Sequence, residues 1–378
     1  MMFPLTILVI TTQVYFMTFA DNTIIKHYSD EELQHGLKFS CKLRKLYKEH
    51  KATHILSRPP NEEKTRMDIF LKQIKRILEL RADPEVTWDV GLNLFADLSE
   101  DERASLKSLP RNATLLSRKV RDIPDMKFPE ILRRTPAEKF DKWRKNRDEI
   151  KMVSPIRDQH THMKTNSYAH AAIIPLETQL AFYKKEQVRL SVEELYQCSQ
   201  VYGSDGSIDP SVCWDYVSDN SRIGYWYDSP ETPVKKNLFH QHVRKCEGFD
   251  KQPNALRGYK LEGIISANSE TRVQQTLSCV GPVVFQMDGK NNELAFYKPL
   301  KRPLFRLRNS KCLANDHSMA IVGYDHQKFI IKNSWGEKWG AKGYLYLDRS
   351  GPACGIFDTT ETALLIPDDE DNLTKCRW

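Results

Sequence analysis

A chain of 378 residues, 40% apolar and 28% charged, has the material for one large domain plus a substantial accessory segment. Its formal charge of +7 is spread over separated residues such as Lys42, Arg44, Lys75, Arg76, Arg133, Arg134, Lys235 and Lys236. No basic run interleaves with aromatics, which argues against a nucleic-acid partner.

The first twenty residues carry no charged side chain, and Phe3 to Ala20 are mostly apolar. Short residues at Thr18 and Ala20 suit cleavage before Asp21, so residues 1–20 are expected to be a signal peptide. A membrane anchor is the competing reading, and Thr11, Thr12 and Gln13 dilute the middle of the stretch against it. No later segment is apolar enough to span a bilayer, so no membrane association is expected after cleavage. Secretory routing fits eight cysteines and sequons at Asn112 and Asn372, the two expected glycosylation sites.

A charged, helix-rich region then runs to about residue 100. Met67, Phe70, Ile74, Ile77 and Leu78 fall at helical spacing between Glu62 and Arg81. Val90-Gly-Leu-Asn-Leu-Phe-Ala-Asp-Leu98 breaks that periodicity and alternates as a short strand does. Residues 101–135 hold Pro110, Pro124 and Pro129 and little periodicity, as an exposed connector would. From 140 to 366 the texture changes. Helices are expected around 167–184 and 211–219, then strands at Gly281–Met287, Ser318–Tyr324, Lys328–Lys332 and Gly343–Leu347. Runs of helices followed by runs of strands indicate an α+β fold with two lobes. Residues 367–378 read as an acidic polar tail.

The chemistry concentrates in His317-Ser-Met-Ala-Ile-Val-Gly-Tyr and Ile330-Ile-Lys-Asn-Ser-Trp-Gly-Glu-Lys-Trp-Gly340. A histidine opening one strand and Asn333 just beyond the next can meet across a hairpin, the amide oxygen accepting a ring N–H and fixing the tautomer. This block resembles the His and Asn region of papain-like cysteine proteases, the cathepsin L branch especially. Upstream, Glu62, Arg66, Phe70 and Ile77 match the interrupted helical motif of cathepsin L-type propeptides, with Gln73 and Arg81 where asparagines are usual. Gly91, Asn93, Phe95 and Asp97 match the propeptide's second motif.

The resemblance implies a two-lobed papain-like fold, with a helical left lobe and a β-barrel-like right lobe, preceded by a helical inhibitory prodomain. It divides the chain into a propeptide (21–135) with an inhibitor domain at 38–98, a peptidase domain (136–366) and the tail (367–378). The prodomain's own tail would run through the cleft as an intramolecular partner. Gln159, in Ser154-Pro-Ile-Arg-Asp-Gln, matches the oxyanion-hole glutamine. Counting back from Ile173, Ile174 and Glu177 puts Ser167-Tyr168 on the family's Cys-Trp pair, so Ser167 stands at the nucleophile. Asp205, Gly206 and Ser207 fall in the substrate-binding turn, and Trp335 completes the cleft. By resemblance Cys198 pairs with Cys246 and Cys312 with Cys354. Cys213 and Cys279 are expected as buried free thiols and Cys376 as a candidate for an intermolecular bond.

The loop between Gln159 and Ser167 is two residues longer than the family pattern. Ser204 and Ser207 replace a cysteine and a glycine of the substrate turn, and Ser207's Cβ would crowd a docking peptide. Pro175 lies inside the expected central helix, where it removes a donor and favours a kink. His160, His162 and His170 match no zinc spacing, so no metal and no cofactor are expected. The resemblance carries two readings for a secreted or lysosomal protein. One is a pseudoprotease that binds a peptide or extracellular protein; the other is a hydrolase or silicatein-like catalyst using Ser167, His317 and Asn333.

Overall fold

The computed structural model describes residues 27–54, 59–104, 135–145, 150–159, 167–199, 209–226, 246, 248–289, 292–308, 316–370 and 376–377. Helices α1 (Asp30–Lys38), α2 (Ser40–His54) and α3 (Glu63–Ala82) form the N-terminal unit. Ser29 and Glu32 close a capping box at the start of α1, satisfying donors that a helix end leaves orphaned. The expected periodic helix is α3, whose buried face carries Phe70, Ile74, Ile77 and Leu80 together with Arg66. That arginine is buried because its guanidinium is occupied: Glu62 accepts at 2.7 Å, Glu102 at 2.6 Å and the Asp97 carbonyl at 3.0 Å. Glu102 belongs to α4 (Glu100–Ala104), a single short helix beyond the second propeptide-like motif.

That motif is not a strand as its alternation suggested. Val90 makes one antiparallel bridge, to Tyr297, and the chain then turns. The cause is Asn93, whose Oδ1 accepts the Phe95 N–H at 3.1 Å while its carbonyl accepts from Ala96.

In the second unit, α5 (Ser167–Lys184) buries every residue from Ser167 to Ala181, as befits a helix enclosed by other elements, and its buried Glu177, Thr178 and Gln179 all have hydrogen-bond partners. It runs unbroken through Pro175. Helices α6 (Val192–Cys198) and α7 (Pro210–Asn220) pack beside it. Asp209 caps α7 and Pro210 sits at its first position, where a missing N–H costs nothing.

Strands β1 (Tyr259–Ser266), β2 (Val283–Met287), β3 (His317–Tyr324), β4 (Lys328–Lys332), β5 (Tyr344–Asp348) and β6 (Glu361–Pro367) make one sheet, ordered β1-β6-β2-β3-β4-β5. All of its pairings are antiparallel. Helix α8 (Glu270–Cys279) packs on β2 and β3, and a short α9 (Asn292–Ala295) follows β2. Helix α5 lies across β3 and β6, so the seam between the helical and sheet lobes runs along it. No described helix is long and apolar enough to cross a membrane.

Two cysteine readings are corrected. Cys279 and Cys376 form a disulfide with each other, and neither is a free or intermolecular thiol. Nor is the whole stretch after 366 a solvated tail. Pro367 ends β6, and Arg377 is buried with its guanidinium donating to Gln179 Oε1 (2.7 Å), Tyr183 Oη (2.8 Å) and the Leu365 carbonyl (2.7 Å). Four acceptors from three elements, the Val280 carbonyl included, compensate the burial of that cation. Cys198–Cys246 forms as expected, and Cys213 is a buried free thiol. Cys354 is disulfide-bonded, while its expected partner Cys312 lies outside the described residues.

Candidate active site

Ser167 is the first residue of α5, His317 the first of β3, and Asn333 the first beyond β4. Pairing of β3 with β4 (Ala320↔Lys332, Ile321↔Ile331) brings the start of β3 level with the segment after β4. His317 consequently stacks on Trp335, ring centroids 4.4 Å apart. The Asn333 Oδ1 lies 3.0 Å from His317 Nε2 and also accepts the Ser334 N–H at 2.8 Å. An atom that accepts a backbone N–H is the oxygen of the amide, so Nε2 carries the hydrogen and donates to it. In the neutral ring Nδ1 is then the basic nitrogen.

Across the seam, Ser167 Oγ accepts the backbone N–H of Ser318 at 3.1 Å, which holds the start of α5 against the residue following His317. Gln159 is fixed at both ends. Its backbone N–H donates to the Ser334 carbonyl (2.9 Å) and its Oε1 accepts the Ser334 hydroxyl (2.5 Å), which turns the donating amide nitrogen the other way. Ser167, His317, Gln159, Asn333 and Trp335 are all buried. The prodomain covers part of this ground, Phe95 meeting Trp335 edge-on at 4.8 Å. Asp205, Gly206, Ser207, the loop 160–166, and Asn112 and Asn372 lie outside the described residues. His170, in α5, is buried, and among the described residues no cluster of metal-ligating side chains occurs.

Beneath the site lies a buried ionic network absent from the sequence reading. Arg157 grips Glu177 of α5 with Nη1 (2.9 Å) and Nη2 (2.5 Å), and Glu177 also accepts the Leu190 N–H at 2.7 Å. Burial would raise the Glu177 carboxyl, and Arg157 outweighs it and holds the group below its ordinary value. Lys332, next to Asn333, donates to the carbonyl (2.8 Å) and hydroxyl (2.9 Å) of Ser154. Burial lowers its pKa to about 7, Glu177 pulling the other way and Arg157 and Arg189 adding to the depression. The network ties segment 154–159, which ends in Gln159, to both α5 and β4. The sequence carried little signal for it, because β4 is buried on both faces from Phe329 to Lys332 and the partner of a buried lysine is not readable from one strand.

Residues 137–364 match the family model of the papain family cysteine proteases, and residues 38–102 that of the cathepsin propeptide inhibitor domain. The chain is 28% identical to a cathepsin L-like proteinase of Phaedon cochleariae over 334 residues, covering 82% of this chain and 90% of that one. It is 26% identical to a silicatein of Petrosia ficiformis, covering 81% of this chain and 89% of the relative. Among solved structures, a digestive procathepsin L2 from Tenebrio molitor larval midgut superposes with a TM-score of 0.66 at 20% identity, covering 85% of this chain and 99% of that one. That likeness carries the fold.

Proposed function

Because this chain belongs to the papain family of cysteine proteases, with a cathepsin propeptide inhibitor domain ahead of the peptidase domain, we propose that it is a secreted or lysosomal member that binds peptide or protein partners in its cleft and cleaves them poorly. One observation carries this reading: the residue opening α5 beside the His317–Asn333 pair is a serine.

The chemical consequence follows from acidity. A cysteine thiol beside an imidazolium at a helix N-terminus is held as the thiolate, which is the nucleophile. A serine hydroxyl does not ionise there and needs its proton removed in the transition state. His317 Nδ1 is the candidate base, oriented by Asn333. An amide orients the ring but brings no charge to stabilise the imidazolium that forms, unlike the carboxylate of serine-protease triads.

A second reading is a hydrolase or condensation catalyst working through Ser167. The engaged oxygens of Asn333 and Gln159 favour it, because they leave the ring base and the oxyanion donor oriented as catalysis requires. Fluorogenic peptides assayed with the secreted, matured wild type, Ser167→Ala and Ser167→Cys separate the two. Binding without efficient turnover predicts substantial activity only in Ser167→Cys, with wild type and Ser167→Ala alike near background. Cleavage by wild type that Ser167→Ala abolishes would establish the second reading instead.

A further inference from the structure

Away from the cleft, residues 295–308 of the peptidase domain grip one stretch of prodomain, 83–92. The Asp89 carboxylate accepts three consecutive backbone N–H groups, from Leu300 (2.9 Å), Lys301 (2.6 Å) and Arg302 (2.7 Å), and the Arg302 Nε at 3.1 Å. Such a run of amides is an anion nest. Burial alone would raise the Asp89 pKa, and the three backbone donors more than offset it, leaving the carboxyl below its ordinary value.

The residue before it, Trp88, is fully buried against Phe305 with ring centroids 4.7 Å apart. The backbone around Asp89 pairs like an added strand. Asp89 N donates to the Arg302 carbonyl (3.0 Å), Lys298 N to the Asp89 carbonyl (3.1 Å) and Gly91 N to the Phe296 carbonyl (2.9 Å). Further along, Arg308 donates to Asp83 (3.0 Å) and Glu85 (2.8 Å), while Glu293 of the peptidase domain anchors it from below. Residues 83–92 carry three carboxylates and no cation.

These parts make a complete recognition surface: a strand edge, an aromatic slot, an amide nest one residue further, and a second cation. We propose that, once the prodomain leaves, this loop is a second binding site of the peptidase domain for an extended acidic peptide with an aromatic residue directly before a carboxylate. Segment 83–92 is its built-in occupant and keeps it closed in the intact chain. A free inorganic anion would engage only the nest, whereas an extended acidic peptide satisfies the edge, the slot and both cations together. The site is independent of whether Ser167 turns over peptides.

The test uses the full chain with a specific protease sequence placed within residues 105–134, cut after folding, and a fluorophore on the exposed thiol of Cys41 in α2, Cys213 being buried. A synthetic peptide of residues 83–92 is compared with its neutral version (Asp83→Asn, Glu85→Gln, Asp89→Asn). If the cut prodomain stays bound, its displacement is read by anisotropy of the Cys41 label; if it leaves, direct binding of labelled peptide is read. The acidic peptide is expected to bind or displace at least about tenfold better than the neutral one. Arg302→Ala with Arg308→Ala in the protein is expected to erase most of that difference and its salt dependence. The uncut chain is expected to bind neither. Equal behaviour of the two peptides, an unaltered difference in the double variant, or no binding or displacement up to about 1 mM overturns the proposal.

Discussion

The two walls of the cleft are held together in different ways. On the sheet wall, His317, Asn333, Trp335 and Gln159 are held by mutual hydrogen bonds and stacking, each polar group serving the orientation of another. On the helix wall, α5 opens with Ser167, whose Oγ accepts the Ser318 N–H, at the position we propose for the nucleophile. Prodomain contacts fall on the sheet wall and the loop beside it: Phe95 meets Trp335, Asn93 Nδ2 donates to the Ala295 carbonyl at 2.6 Å, and Asp89 accepts from residues 300–302. The proposed function treats the binding machinery and the nucleophile as separable, and the following variants test that separation.

The sharpest way to break this comparison is to restore the thiol and then damage the sheet wall. In the Ser167→Cys protein, Gln159→Ala is expected to lower kcat by about 10² to 10³-fold, the usual effect of losing an oxyanion donor. His317→Ala is expected to abolish turnover. If Gln159→Ala leaves a Ser167→Cys enzyme untouched, the sheet wall is a relic and not a poised half-site.

The walls are joined by the Arg157–Glu177 pair. Glu177→Gln keeps the shape but leaves Arg157 buried without its counter-charge, and removal of one partner of such a pair costs about 3–5 kcal/mol. The measurement is chemical denaturation of the full chain, monitored by tryptophan fluorescence. A loss under about 1 kcal/mol, the range of exposed pairs, would show that the walls do not depend on this tie.

Which of these features could be read from the chain alone is instructive. The sheet wall was legible because His317 and Asn333 stand in one contiguous hairpin, where the β-register fixes who meets whom. Helix α5 was legible as a helical stretch at 167–184 rich in Ala169, Ala171, Ala172, Ile173, Ile174, Leu176 and Leu180. The Cys279–Cys376 bridge was not, because its partners are 97 residues apart and nothing local to either specifies a long-range pair. The acidic character of residues 368–370 hid Arg377, a single cation whose acceptors come from α5, β6 and the turn after α8. The strand expected at Val90–Leu98 failed because one Asn side chain redirects the backbone, a local competition that alternation does not report.

That C-terminal clasp is a second tie across the seam, since Cys376 binds α8 while Arg377 reaches Gln179 and Tyr183 of α5. Cys376→Ser is expected to lower stability by about 2–4 kcal/mol, the common range for a bridge closing a long loop. Cys279→Ser should match it, because either change removes the same bond. A difference above about 1 kcal/mol between the two variants would assign part of the effect to local packing and not to the bond.

The last expected effect concerns pH and bears on the interface between the prodomain and the loop beside the sheet wall. Where the prodomain docks, Lys298 donates to the Leu92 carbonyl at 2.7 Å, and burial first, then Arg81, lowers its pKa from 10.5 to about 7. His27 is lowered from 6.5 to about 4 by burial and Lys298, with Asp89 opposing. His54 is lowered from 6.5 to about 2 by burial, then His50, Lys298 and Lys338, with Asp97 opposing. All three are bases depressed in the docked state, so undocking lets each take up a proton. Docking therefore weakens as pH falls from 10.5 to about 7 through Lys298, and again below 6.5 through the histidines, each proton contributing at most about tenfold per pH unit. Asp89 and Asp83 act in the same direction at lower pH, because carboxyls held below 3.8 stabilise docking above that value and lose the contribution as they protonate. Retention of the cut prodomain, followed by the Cys41 label, should fall between pH 6.5 and 4. His54→Gln should make that limb shallower, and Lys298→Met should flatten the alkaline limb and also ease the acid one, because it removes a cation that helps depress both histidines. Retention that is level from pH 6.5 to 4 in the wild type would mean that undocking leaves these histidines as buried as before, and that the interface opens elsewhere.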